Sequence, residues 1–170
     1  VYRIGGALIG VTICEDIWSP VGPVAAQARA GATLAISINA SPFHRGRLTE
    51  RTTMITERAT ATGCTIAYVN QISGQDELVF DGGSMVISSD GRVVSCAPQF
   101  EEHLLMTTVE LPVAKPSAHA TVIDITESPR GVSRQSAPQA AHVLDDRAQI
   151  YGALVVGTRS EEHTSELQSR

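Results

Sequence analysis

Three apolar, β-branched runs with helical repeats set between them constrain this chain more than any other feature. Residues 7–13, 33–38 and 65–70 carry the alternation and the Val, Ile and Thr enrichment of strands. Residues 22–30 and 48–62 between them predict helices, and in the second Leu48, Ile55 and Ala59 fall on one side at helical spacing. A strand, helix, strand order brings parallel strands together beneath covering helices, so the chain is expected to be an α/β layer protein. Further strands are expected at 84–88, 93–96 and 104–110, with Asp90-Gly91 as a hairpin turn, which makes one sheet edge mixed or antiparallel. This domain should end near Leu111.

A length of 170 residues, with 42% hydrophobic and 18% charged, leaves room for a core in one globular domain. The net charge of −5 with scattered Lys and Arg lacks the basic face of a nucleic-acid binder and favours small-molecule chemistry. Apolar stretches such as residues 32–38 fall far short of the roughly 18 needed to span a bilayer, so no membrane partner is expected. Cysteines 14, 64 and 96 are odd in number and have no CxxC spacing, which suggests neither disulfides nor a metal site and fits a reducing cytoplasm. The chain opens on Val1-Tyr2-Arg3-Ile4, with no initiator methionine and no leader, so a start inside a larger protein is expected.

Residues 112–141 hold four of the eight prolines and show little periodicity, which reads as a linker or extended arm. Leu144, Ala148, Tyr151 and Val155 then recur at helical spacing and predict a helix from near Asp145, so that 142–158 would open a second domain. Residues 159–170, RSEEHTSELQSR, do not continue that apolar face. They are similar to the translation of a short-read sequencing adapter, and residue choices there are expected to be adapter-derived.

Residues 10–18, GVTICEDIW, end an apolar strand on Cys14, followed by two acids and a turn with Ser19-Pro20. Such a position can hold a nucleophile, with a following N–H aimed at a developing oxyanion. It can equally hold a buried structural cysteine, and the local pattern does not choose between them. A thiol needs a base or cation to become a thiolate, and Glu15 and Asp16 oppose that, so the helper must come from elsewhere. His44 and His103 exist, but no cysteine-protease signature surrounds Cys14.

GVTICEDIW, NASPFHRGR at 39–47 and GQDELVFDGGS at 74–84, in that order, closely resemble the glutaminase domain of bacterial glutamine-dependent NAD synthetases, a branch of the nitrilase superfamily. The resemblance covers about residues 1–111 and implies a four-layer αββα nitrilase-type sandwich, here incomplete at its N-terminal side. It implies a Glu, Lys and Cys triad in which Cys14 forms a thioester, with both partners expected upstream of Val1. It assigns the oxyanion-binding backbone N–H to Glu15 and the binding of L-glutamine to Ser41 and Arg47, where many relatives carry lysine. A hydroxyl beside a guanidinium suits an α-carboxylate. Asp16 is expected to fix the turn by accepting backbone N–H bonds, and Trp18 to serve packing. The 74–84 motif supports the resemblance without assigning a chemical step.

Residues 145–158, DDRAQIYGALVVGT, resemble the helix that leads into the synthetase domain. Its Ser-Gly-Gly-x-Asp-Ser phosphate loop is not among these residues, so ATP and Mg2+ are expected in the synthetase domain of the same parent chain and no cofactor in this segment. The resemblance implies a homo-oligomeric, cytoplasmic enzyme that hydrolyses glutamine and delivers ammonia for the amidation of deamido-NAD. Rivals are a stand-alone amidase or carbamoylase of the same superfamily, and a non-catalytic scaffold domain.

Overall fold

The computed structural model describes residues 1–126 and 137–168, with the side chains of the last helix described as far as Ser160. Strands β1 (Tyr2–Ile4), β2 (Ala7–Ile13), β3 (Leu34–Asn39) and β4 (Thr65–Asn70) lead the chain, with helix α1 (Pro23–Arg29) after β2 and helix α2 (Arg47–Thr62) after β3. They are followed by β5 (Ile72–Gln75), β6 (Leu78–Asp81), β7 (Met85–Ile87), β8 (Val93–Cys96), β9 (Ile123–Thr126) and helix α3 (Asp146–Gln168). Seven strands form one sheet in the order β8-β7-β4-β3-β2-β1-β9, and β5 and β6 form a separate hairpin.

The centre of the sheet is parallel, as the strand and helix alternation predicts. Ile13 pairs with Ile38 across β2 and β3, and Asn39 pairs with Asn70 across β3 and β4. The antiparallel edge is also present: β7 runs against β4 and β8 against β7, and Gly91 adopts φ 86° in the connecting turn.

One face of the sheet lies under α1 and α2. Ala35, Ile66 and Tyr68 from the strands pack with Val24, Leu48, Met54, Ile55 and Ala59 from the helices, all nearly or fully inaccessible. The side of α2 read from spacing, Leu48, Ile55 and Ala59, is the buried one. Burial of each large side chain on it contributes about 1.5–3 kcal/mol. Gly63 stops α2 by turning left-handed at φ 68° while its N–H reaches the carbonyl of Ala59.

The opposite face of the parallel strands is apolar and open. Val11, Ile13, Ile38 and Val69 alternate with the buried residues, and Ile13 is 67% and Ile38 51% accessible. A row of adjacent aliphatic side chains at the middle of a sheet is normally covered.

Besides β1, which the sequence reading did not anticipate, four elements depart from expectation. Residues 104–110 belong to no strand of either sheet. Their alternation suits an extended chain, yet strand identity needs a partner's hydrogen bonds, and Ser95 meets this segment through a side-chain bond to Thr107 Oγ1 at 2.9 Å. Within the segment read as an arm, β9 pairs in parallel with β1 and closes one sheet edge, and residues 127–136 of that segment lie outside the described residues. The β5–β6 hairpin falls on the 74–84 motif, for which the sequence suggested no element.

The fourth departure is the face of α3. The spacing selects Leu144, Ala148, Tyr151 and Val155; three of these are half-buried, but Tyr151 is 71% accessible and Gln149, off that face, is buried. The helix turns its small residues inward instead. A Cβ at Gly152 would meet the Phe100 ring at 2.6 Å, and Gly74 faces Gly157 and Ser160. Close approach to the β5–β6 hairpin outweighs the burial of larger side chains, which hydrophobic spacing alone does not register.

Candidate active site around Cys14

The C-terminal ends of β2, β3 and β4 share one edge of the sheet, where parallel α/β sheets hold their ligands. Cys14 follows β2 directly, half-buried, and starts a single 3-10 turn, Cys14–Ile17. Its φ is 51°, in the left-handed region that a side chain with a Cβ seldom occupies. Such a conformation costs of the order of 1–3 kcal/mol and persists only where the surroundings hold it.

Both ends of the turn are held. The Asp16 carboxylate accepts the Ile13 N–H at 3.0 Å, the turn-fixing role read for it from the sequence. At the other end Arg58, on α2, donates from Nε to the Ile17 carbonyl at 3.2 Å and from Nη2 to the Trp18 carbonyl at 3.0 Å. Glu15 has an exposed side chain, and its carbonyl accepts the Trp18 N–H at 3.0 Å.

Ser41 and Arg47, six positions apart, are brought together. Arg47 Nε donates to Ser41 Oγ at 3.3 Å, and its guanidinium lies over the Trp18 ring with Cζ 4.3 Å from the centroid. The same group donates to Glu50 Oε2 at 3.3 Å. Cys14 and this pair therefore meet through Trp18, four residues beyond the cysteine.

Ser41 is buried, and its loop is anchored from the neighbouring strand. Asn70 Oδ1 accepts the Ser41 N–H at 2.9 Å, and Asn70 Nδ2 donates to the Gly82 carbonyl at 2.9 Å. Phe43 N–H donates to the Val79 carbonyl at 2.7 Å, so β6 runs beside the loop as well. This gives the 74–84 motif its function: it is the hairpin against which the Ser41–Arg47 loop is built. Gly82 and Gly83 adopt φ 65° and 64°, and a Cβ on Gly83 would meet Leu48 Cδ1 at 3.1 Å.

Beneath the loop lies a charged pair with no exposure, Arg51 Nη2 to Asp81 Oδ2 at 2.5 Å. Arg51 Nη1 donates to the Gly82 carbonyl at 3.3 Å and Gln99 Nε2 to Asp81 Oδ2 at 2.9 Å. Tyr68 is enclosed beside them, and burial pushes its phenol above the usual range against the opposing charges of Arg51 and Arg47. Asn70, Asp81, Arg51 and Arg58 were missed from the sequence. A buried Asn ending a strand and an Asp before two glycines were the available signals, whereas the partners of Arg51 and Arg58 follow only from the fold.

His44 and His103 each have another partner. His44 faces Glu50 at 3.5 Å, and His103 is hydrogen-bonded to Gln139. Neither side chain is hydrogen-bonded to Cys14. Among the described residues no cluster of three or more His, Cys, Asp or Glu could hold a metal ion. Among them, too, no helix is long and apolar enough to cross a membrane.

A strained cysteine turn thus stands at the carboxyl edge of the parallel sheet. Residues 1–118 match the carbon-nitrogen hydrolase family, and the chain belongs to that family. Within it, the chain is 44% identical over 113 residues to the glutamine-dependent NAD(+) synthetase of Aquifex aeolicus, covering 66% of this chain and 20% of that one. To the glutamine-dependent NAD(+) synthetase of Acinetobacter baylyi it is 33% identical over 159 residues, covering 94% of this chain and 26% of that one. The solved structure of glutamine-dependent NAD+ synthetase from Acinetobacter baumannii in complex with adenosine diphosphate superposes with a TM-score of 0.71 at 31% identity. It covers 94% of this chain and 26% of that one. The chain thus spans between a fifth and about a quarter of the length of these relatives.

Proposed function

We propose that this chain is the nucleophile-bearing part of the glutaminase domain of a glutamine-dependent NAD synthetase. Cys14 Sγ attacks the side-chain carboxamide of glutamine, a tetrahedral intermediate forms with its oxyanion directed to the Glu15 N–H, and ammonia leaves as a thioester closes. Water then releases glutamate from the thioester. Ser41 and Arg47 receive the α-carboxylate of the substrate. The Glu and Lys that complete the triad, the ATP and Mg2+ of the amidation step, and the deamido-NAD acceptor belong to other parts of the parent enzyme.

The observation that carries this reading is the left-handed backbone of Cys14, held at φ 51° at the carboxyl edge of the sheet within a family of carbon-nitrogen hydrolases. A cysteine with only a packing role has no need of a conformation that must be held from both sides. The open aliphatic face of Val11, Ile13, Ile38 and Val69 supports a second sheet stacked upon it, as in an αββα sandwich.

Glutamine-dependent and ammonia-dependent NAD formation, measured side by side in the intact enzyme with Cys14→Ala, tests the reading. Selective loss of the glutamine-dependent activity supports it. Equal loss of both, or loss of neither, overturns it.

A further inference from the structure

We propose that Arg58 is a positioning residue for the nucleophile, holding the Cys14 turn from its far end; this rests on Cys14 being the thioester-forming group. The turn is strained at Cys14 and would relax to an ordinary φ if either end were released. Asp16 secures the near end through the Ile13 N–H. At the far end the carbonyls of Ile17 and Trp18 point out of a turn too short to satisfy them, and the two arms of one guanidinium take both, at 3.2 and 3.0 Å.

The fork belongs to the helix that also carries the substrate-side cation. Arg47 is the first residue of α2, Arg51 anchors the helix to Asp81, and Arg58 reaches the turn. With Trp18 touched by Arg47 on its ring and by Arg58 on its carbonyl, one helix both places the guanidinium over Trp18 and holds the far end of the Cys14 turn. Arg58 contacts neither the sulfur nor a substrate. It acts by fixing where the thiol and the Glu15 N–H stand.

Displacement of a reacting group by about 1 Å can cost on the order of a hundredfold in rate, while the binding groups stay in place. In the intact enzyme, Arg58→Met is therefore expected to lower kcat for glutamine-dependent NAD formation by roughly a hundredfold, with KM for glutamine within about twofold and ammonia-dependent synthesis unchanged. Arg58→Lys, which keeps the charge and loses the fork, is expected to lie between that variant and the native enzyme. A native kcat in Arg58→Met, or a change confined to KM, overturns the proposal. If Arg58→Met also loses ammonia-dependent synthesis, Arg58→Lys decides: a fall in kcat on glutamine alone supports the clamp, and a native kcat overturns it. Cys14→Ala separates the two levels. If that variant still uses glutamine, the nucleophile reading falls and the clamp with it; if it is inactive on glutamine while Arg58→Met is native, the clamp alone falls.

Discussion

The Arg47 guanidinium lies over the Trp18 ring, Cζ 4.3 Å from the centroid, while its Nε donates to Ser41 and its Nη1 to Glu50. Three contacts fix a side chain that would otherwise sample many rotamers. A cation stacked on an aromatic face gains about 0.5–2 kcal/mol according to its exposure. Trp18→Leu should therefore raise KM for glutamine by about two- to thirtyfold with little change in kcat. Steady-state kinetics on the intact enzyme checks this, and a loss confined to kcat would assign Trp18 to the chemical step.

Arg47 itself should be more sensitive than the ring that supports it. A hydrogen bond to a charged group is worth about 1.5–3 kcal/mol, so Arg47→Met should raise KM for glutamine by roughly ten- to a hundredfold. Arg47→Lys keeps the charge without the planar fork and should give a smaller rise. If KM is unmoved in both, the α-carboxylate is held elsewhere.

The Arg51–Asp81 pair gives a stability prediction independent of the reaction. Both side chains are fully enclosed, and removing one partner leaves a buried charge without compensation, at a cost of about 3–5 kcal/mol. Arg51→Met should unfold or strongly destabilise the domain by calorimetry. Arg51→Met with Asp81→Leu should recover part of the loss, because the orphaned carboxylate is gone. A double variant as damaged as the sum of the singles would show that the two groups act independently.

The parallel core was legible because each strand there is long and the helix between carries one apolar side. Residues 7–13 and 65–70 were read with the bounds that β2 and β4 have. Legibility fails where an element is specified by its neighbours. β1 and β9 are short strands at one end of the sheet, β1 set between β2 and β9 and specified by pairing on both sides, and residues 104–110 alternate like a strand yet belong to neither sheet. The site shows the same division. Cys14, Ser41 and Arg47 stand in recognisable motifs, whereas Arg58 is an ordinary helix residue until α2 is laid against the Cys14 turn. Asp16 was legible because its partner, the Ile13 N–H, is three residues away.

The 170-residue chain alone should show no glutaminase turnover. Thioester chemistry needs a thiolate, a proton acceptor and a stabilised oxyanion acting together, and losing one member of such a set costs several orders of magnitude. Asp16 and Arg58 are committed to the backbone of the turn, Arg47 is stacked on Trp18, and His44 and His103 face Glu50 and Gln139. None of these groups is disposed to take the proton from Cys14. The open aliphatic face adds a physical consequence, because Val11, Ile13, Ile38 and Val69 offer a contiguous apolar surface in the middle of a sheet. The isolated chain should bind a hydrophobic dye and self-associate, and Ile13→Lys with Ile38→Glu should reduce both. Glutamate release from glutamine, measured against a Cys14→Ala control, decides the first point. Turnover above that control would mean that residues within this chain supply the base and the cation, and the triad expected from the resemblance would then be the wrong description of the site.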